Sequence, residues 1–146
     1  QSKDRRTGMK QKTFKQLKDK LWPLLAAYVK KRDGGACGSC GRRVSGKNYH
    51  AGHLIPKSVC GVVLGFHPMN VHGQCGNCNI WAGGNGALFG KRISARYGRD
   101  VIAELEEIRK KTKNEQWDRR KLVVLIRTIQ ETPEQYEQVY RTVYNF

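Results

Sequence analysis

Two Cys-x-x-Cys pairs, Cys37/Cys40 and Cys75/Cys78, restrict the fold of this chain more than any other feature. Four thiolates in two such pairs can hold one tetrahedral zinc ion, and the chain between them must then fold back on itself. The pairs are separated by 34 residues, whereas zinc knuckles commonly lie roughly 15–20 residues apart. We therefore expect a structural Zn²⁺ site that fixes the ends of an inserted hairpin.

The cysteine pattern does not favour disulfides. Redox-active pairs normally open a helix in a thioredoxin-like unit, and no such pattern surrounds either pair. The fifth cysteine, Cys60, has no partner at a suitable spacing and is expected to be a small buried apolar residue. An odd number of cysteines with this pairing favours a reducing compartment, so we expect an intracellular, cytoplasmic protein.

The positive charge is concentrated in the first two-thirds of the chain. The sequence has 28 Lys and Arg against 12 Asp and Glu, a formal charge of +16. Residues 1–32 contain 11 basic and 2 acidic residues, residues 33–99 contain 8 and 1, and residues 100–146 contain 9 of each. This imbalance favours a polyanionic partner, with nucleic acid preferred over a membrane surface. We find no apolar run of membrane-spanning length and no signal-peptide pattern.

Residue patterns divide the chain into four segments. They are a basic flexible arm over 1–12, a helix over 13–32, a zinc-binding core over 33–98 and a helical region over 99–146 that packs on the core or dimerises. Thr13 is the expected N-cap of the first helix, and Pro23 is expected to kink or split it.

Apolar spacing and capping residues predict the elements after the first cysteine pair. The expected elements are a strand over 48–55, a second strand or connecting loop over 59–66, and helices over about 86–97, 101–111 and 117–129. Gly98 and Asp100 are the expected C-cap and N-cap between two of these helices. A capping box formed by Thr132 and Gln135 is expected to open a last helix that ends near Tyr144.

Several short motifs follow one another in a known order: His53-Leu54-Ile55-Pro56, Asn70-Val71, Cys75-x-x-Cys78 and Asn79. This order resembles the HNH endonuclease (ββα-metal) superfamily. A closer resemblance is to the phage NinG (Rap) recombination endonucleases, in Ala51-Gly52-His53, in the segment 70–79, in Gly84-Asn85 and in Arg96-Tyr97-Gly98. The resemblance covers roughly residues 37–98.

The resemblance implies an α+β fold, with a zinc-clamped ββα-metal (HNH-like) core, a long N-terminal helix and C-terminal helices. It also implies a metal-dependent DNA endonuclease of a bacteriophage, acting inside the bacterial host cell. The implied substrates are branched or single-strand-containing recombination intermediates, such as Holliday junctions. The open alternative is a noncatalytic zinc-ribbon module that binds DNA or RNA.

Phosphodiester hydrolysis needs a base that activates water and a cation that neutralises the phosphate and the departing oxygen. His53 is the expected base, since a histidine is partly neutral near pH 7. Asn70 is expected to orient this base by bonding the hairpin backbone. Asn79 could supply an oxygen ligand to Mg²⁺ or Mn²⁺.

The sequence departs from the HNH pattern at Gly52, where the superfamily has an aspartate that binds the metal. In a strand, His50 would lie on the same face as Gly52 and could take over the role of that ligand, while His53 would point to the other face. His72 is a second candidate for the missing ligand. Asn85 is either a contact to phosphate or metal or, as we favour, the entry to a helix.

Basic residues flank these motifs and are expected to contact the phosphates of DNA without reading its sequence. They are Arg42, Arg43, Lys47, Lys57, Lys91, Arg92 and Arg96. A homodimer is a further possibility, because paired incisions at a junction need two active sites.

Overall fold

The computed structural model describes residues 12–81 and 83–146, with Trp81 described by its backbone alone. The predicted arm over 1–12 lies outside this range except for Lys12. The elements are α1 (Phe14–Asp33), β1 (Tyr49–His53), α2 (Lys57–Gly65), β2 (Val71–Cys75), α3 (Gly86–Tyr97), α4 (Val101–Lys111), α5 (Arg119–Glu131) and α6 (Tyr136–Tyr144). The fold is therefore α+β, mostly helical with one small sheet. None of the helices in the described ranges is long and apolar enough to cross a membrane.

Helix α1 begins with a reciprocal cap. The Thr13 hydroxyl accepts a hydrogen bond from the backbone N–H of Gln16 at 3.1 Å, and the Gln16 side chain accepts one from the Thr13 N–H at 2.9 Å. The predicted N-cap is thus confirmed. Of the two outcomes expected at Pro23, a split is wrong, since α1 runs through this residue, and a kink stays a prediction. Its apolar stripe stays buried on both sides of the proline, at Leu17, Leu21 and Leu25.

Strands β1 and β2 pair antiparallel, in a register that runs from Tyr49 opposite Cys75 to His53 opposite Val71. The segment between them contains a helix, α2, so the prediction of a strand or loop over 59–66 is wrong. This segment consists of two short helical pieces that meet at Gly61, whose φ of 78° and ψ of −174° are not helical, and it buries Cys60, Val63 and Leu64. A short apolar run of this kind fits either a buried strand or a buried helix, and packing decides between them.

The described residues form two compact units, and the larger one spans Ala26–Glu115. Its core combines residues from the α2 region, α3 and α4: Leu54, Ile55, Cys60, Leu64, Met69, Phe89, Ile93, Val101 and Leu105. The unit thus extends past residue 98, where the sequence placed the boundary of the core, because α4 buries Val101 and Leu105 in this cluster. Cys60 is a buried free thiol here, as expected.

The caps around α3 and α4 agree with the sequence. Gly98 ends α3 with φ of 65°, a left-handed conformation that glycine adopts without strain. The Asp100 carboxylate accepts a hydrogen bond from the Ala103 N–H at 3.0 Å and so caps α4. The predicted helix over 101–111 has the observed bounds.

The other unit contains the first half of α1 together with residues 116–146. Asp118 caps α5 through hydrogen bonds from the N–H groups of Arg120 and Lys121. The predicted capping box at Thr132 is wrong: Pro133–Gln135 form a 3₁₀ turn, and the Thr132 hydroxyl donates back to the Thr128 carbonyl. Helix α6 buries a row of three tyrosines, Tyr136, Tyr140 and Tyr144, with ring centroids 5.7 and 4.9 Å apart.

Candidate metal centre

The four paired cysteines converge on one point. The sulfur atoms of Cys37, Cys40, Cys75 and Cys78 all lie within 4.8 Å of one another, and the Cys40 and Cys75 sulfurs are 3.9 Å apart. Tetrahedral zinc with Zn–S bonds of about 2.3 Å separates its sulfur ligands by about 3.8 Å. The cluster therefore has the composition and spacing of a Cys₄ metal site, and its four residues could hold a structural zinc ion.

Backbone and side-chain donors point at the cysteine sulfurs. The Cys40 N–H lies 3.5 Å from the Cys37 sulfur, and the Cys78 N–H lies 3.4 Å from the Cys75 sulfur. The Asn85 amide nitrogen is 3.8 Å from the Cys78 sulfur. Donors of this kind orient metal ligands and stabilise thiolate charge. Asn85 stands at the entry of α3, as predicted, whereas no sequence pattern indicated its contact with Cys78.

The surroundings shift two of the thiols in opposite directions. Burial alone raises the pKa of Cys37, but N–H donors from Cys40, Cys75 and Ser39 outweigh it and lower that pKa to about 7. Burial and the neighbouring Cys75 thiol raise the pKa of Cys78 to about 12. A metal ion binds thiolates, so occupation of the site must release the Cys78 proton.

Two of the predicted catalytic-metal residues, His50 and Asn79, are in contact although they lie 29 positions apart in the chain. The His50 Nδ1 and the Asn79 Nδ2 lie 3.1 Å apart. The His50 Nε2 lies 3.0 Å from the Lys47 carbonyl oxygen, which can only accept a hydrogen bond, so the proton is on Nε2 and Nδ1 accepts from Asn79. Since Asn79 directly follows Cys78, the cysteine cluster holds this contact in place.

His53 ends β1 on the opposite face from His50, as alternation along a strand requires. Its Nε2 lies 2.9 Å from the Gly65 carbonyl oxygen, so Nδ1 is the basic nitrogen of the neutral ring. Burial lowers the pKa of His53, and the charge of Lys57 lowers it further. Three residues of extended strand span about 10 Å, and the described residues show no hydrogen bond that joins His53 to His50 or Asn79.

Asn70 fixes the chain that follows β1. Its side-chain oxygen accepts from the Ile55 N–H at 2.7 Å, and its amide nitrogen donates to the carbonyls of Ile55 and Leu64 at 3.1 and 3.0 Å. These are the backbone bonds expected of this residue. Leu64 directly precedes Gly65, and the Gly65 carbonyl oxygen is the hydrogen-bond partner of the His53 ring. Whether Asn70 takes part in catalysis stays a prediction.

His72, the second candidate for the missing ligand, is part of a buried network. Its Nδ1 lies 3.0 Å from an Arg32 nitrogen and its Nε2 lies 2.7 Å from the Met69 carbonyl oxygen. Burial and Arg32 lower its pKa to about 4, so its 3.8 Å contact with Asp33 is no ion pair at neutral pH. Because both ring nitrogens are engaged inside the core, the geometry does not favour His72 as a metal ligand.

The seven predicted phosphate-binding cations all have exposed side chains. Three of them also make internal contacts: Arg43 donates to the Gly34 carbonyl at 3.0 Å, Arg92 lies against Gly41, and Arg96 is 3.7 Å from Asp33. The other four are Arg42, Lys47, Lys57 and Lys91. None of these four forms an ion pair with an acidic group that the structure describes.

Fold and site together define a small α+β protein with a four-cysteine cluster that could hold a metal ion. The chain belongs to the NinG family: the family model described as bacteriophage lambda NinG protein matches residues 1–138. No curated protein and no solved structure matches it. The match extends well beyond residues 37–98, to which the motif resemblance was limited, and it includes α1, α5 and the first turn of α6.

Proposed function

We propose that the protein is a metal-dependent DNA endonuclease of the HNH type. The observation that supports this best is the 3.1 Å contact between His50 and Asn79, which brings a strand residue to the residue that follows the last cysteine. Because this bond uses the Asn79 nitrogen, it leaves the Asn79 side-chain oxygen for a metal ion beside the four-cysteine cluster. Membership of the NinG family is consistent with this proposal but does not by itself assign an activity.

In the proposed reaction, His53 accepts a proton from water through Nδ1. The Gly65 carbonyl holds the opposite nitrogen, which sets both the tautomer and the direction of the ring. A lowered pKa keeps His53 neutral and thus able to act as base near pH 7. A divalent ion, Mg²⁺ or Mn²⁺, would be held beside the Asn79 side-chain oxygen, which the bond to His50 positions, and would neutralise charge on the phosphate there.

The substrate we propose is branched or single-strand-containing DNA of the kind formed in recombination, including Holliday junctions. Exposed cations without acidic partners in the described ranges, such as Arg42, Lys47 and Lys91, suit contacts to the phosphates of such DNA. Contacts of this kind position a duplex and weaken as salt concentration rises. Paired incisions would need two copies of the site, so we propose a homodimer, which analytical ultracentrifugation with and without junction DNA would detect.

The test is a cleavage assay on linear duplex, single-stranded, nicked and four-way-junction DNA, with Mg²⁺, with Mn²⁺ and with EDTA. We expect metal-dependent nicking that is strongest on branched DNA and absent in the His53→Ala variant. That variant should keep its zinc content and its DNA affinity, since His53 is neither a cysteine ligand nor a cation at pH 7. Undiminished cleavage by His53→Ala would exclude His53 as the base.

The second candidate is a noncatalytic zinc module that binds nucleic acid, and the charge of +16 favours it as much as it favours a nuclease. Both candidates predict salt-sensitive binding, so binding alone does not separate them. Absence of nicking on all four substrates with either metal, together with tight binding to DNA or RNA, would favour the noncatalytic candidate.

A further inference from the structure

The place of the missing acidic ligand at Gly52 is filled from the opposite strand. A Cβ atom built on Gly52 would collide with the Gln74 Oε1 and would lie 3.0 Å from the Asn79 Oδ1. Two amide oxygens from different parts of the chain thus converge on the point where the side chain of residue 52 would begin. Any residue larger than glycine would displace at least one of these oxygens.

The orientation of the Gln74 amide is fixed by its nitrogen. The Nε2 donates to the Ser39 hydroxyl at 2.6 Å and to the Gly84 carbonyl at 2.8 Å. Exchange of nitrogen and oxygen would set Oε1 against a carbonyl that cannot donate, so the oxygen must face Gly52. Gln74 is fully buried, and its Oε1 has no hydrogen-bond partner in the part of the chain that the structure describes.

A buried carbonyl oxygen without a partner is unfavourable, and such groups are rare unless an ion, a water molecule or a function accounts for them. The neighbouring Asn79 amide is held in a matching way, since its Nδ2 donates to the His50 Nδ1. That bond leaves the Asn79 Oδ1 directed towards the same point as the Gln74 oxygen. His50 therefore acts on the site by positioning Asn79.

We propose that the Gln74 Oε1 and the Asn79 Oδ1 are ligands of the divalent cation, with Gln74 replacing the acidic residue absent at position 52. This inference rests on the proposed nuclease function and names its metal ligands. Amide oxygens are hard ligands that suit Mg²⁺, Mn²⁺ or Ca²⁺. Because both ligands are neutral, the bare site should bind such ions weakly and should bind them more tightly together with a substrate phosphate.

The test measures Mn²⁺ binding to the zinc-loaded protein by electron paramagnetic resonance of free Mn²⁺, without DNA. We expect Gln74→Ala and Gly52→Ala each to weaken binding at least tenfold, the first by removing a ligand and the second by displacing it. The double variant Gly52→Asp with Gln74→Ala should bind at least as tightly as the wild type, since the carboxylate then occupies the space that Gln74 vacates. Gln138→Ala, at an exposed glutamine of α6, is the matched control and should change nothing.

Zinc content of each variant, measured by elemental analysis, reports whether the cysteine cluster is intact. Wild-type Mn²⁺ affinity in Gln74→Ala with full zinc content would overturn the assignment, as would a wild type that binds no Mn²⁺. If Gln74→Ala also loses zinc, the double variant decides, because recovery of Mn²⁺ binding is expected only from a ligand at this position. If the wild type binds Mn²⁺ with the expected effects of the variants but cleaves no DNA, the nuclease proposal is refuted and the assignment of the metal ligands is retained.

Discussion

The side chain of Asn70 bonds both the N–H and the carbonyl of Ile55, at 2.7 and 3.1 Å, and so holds this residue as a neighbouring strand would. A third bond to the Leu64 carbonyl ties the end of α2 to the same amide. The segment just after His53 and the end of α2, whose Gly65 carbonyl holds the His53 ring, are thereby fixed relative to each other. Asn70 is fully buried, which leaves no water to replace these bonds.

Replacement of Asn70 by alanine should therefore destabilise the fold strongly. Three buried backbone groups lose their partners, and each unsatisfied group costs about 1–3 kcal/mol, so we expect a loss of at least about 3 kcal/mol in the free energy of unfolding. Urea denaturation followed by circular dichroism measures it. Asn77→Ala, at an exposed asparagine, should stay within about 0.5 kcal/mol of the wild type. Equal stability of the two variants would contradict the bracing role of Asn70.

Zinc removal should unfold the larger unit at least in part. We expect one zinc per chain, and we expect Cys78→Ser to lower both the zinc content and the melting temperature, because three ligands hold the ion less tightly than four. Elemental analysis and thermal melts with and without a chelator measure these effects. The control is Cys60→Ala, at a cysteine that is buried apart from the cluster: it should lose some stability but keep its zinc. Full zinc content in Cys78→Ser would exclude Cys78 as a ligand.

The sequence predicted those parts of the fold that depend on neighbouring residues. The Cys-x-x-Cys turns, the Asp100 cap and the Gly98 helix end are local patterns, and the structure has each of them. Helix α2 was missed because its apolar run fits two kinds of element equally well. In the site, the sequence singled out His50 from the strand face that it shares with Gly52 and Asn79 from its place after Cys78, and the structure brings the two into contact.

The remaining site contacts could not be predicted because they depend on the three-dimensional path of the chain. Gln74 reaches the space above Gly52 only through the strand register, which pairs Gln74 with His50. Asn85 contacts Cys78 only because the chain turns back after the second cysteine pair. Asp33 was given no role from the sequence, yet it accepts a 2.8 Å hydrogen bond from the Gly73 N–H in the middle of β2.

Replacement of Asp33 by a neutral residue should lower the free energy of unfolding strongly. Its carboxylate is 3% exposed, pairs with Arg32 at 2.8 Å and bonds the Gly73 N–H. Burial raises its pKa, but Arg32 and Gly73 outweigh burial, and the net shift is downward. Asp33→Ala leaves Arg32 without its partner inside the unit, so we expect a loss of about 3–5 kcal/mol.

The matched control for Asp33→Ala is a substitution of Arg96, the more distant of the two arginines beside this carboxylate. Arg96 lies 3.7 Å from Asp33 with 37% of its side chain exposed, and exposed pairs contribute at most about 1 kcal/mol. Arg96→Gln should therefore cost less than about 1 kcal/mol in the same urea titration. A loss from Arg96→Gln as large as that from Asp33→Ala would show that the arginine at position 96, rather than Arg32, is the main partner of the carboxylate.

The pH dependence of cleavage should report the protonation of His53. A base acts in its neutral form, so the rate should be full at high pH and should fall as the pH drops through the pKa of His53. Burial and Lys57 lower that pKa below its ordinary value of 6.5, so the midpoint of the fall should lie below pH 6.5.

Because the Lys57 charge is one cause of the shift, Lys57→Met should move the midpoint to higher pH. Lys91→Met removes an exposed charge that is not among those causes and should weaken DNA binding without moving the midpoint. Single-turnover nicking rates at saturating protein and Mg²⁺ separate the two effects. A midpoint above 6.5, or one unchanged in Lys57→Met, would mean that a group other than His53 takes up the proton.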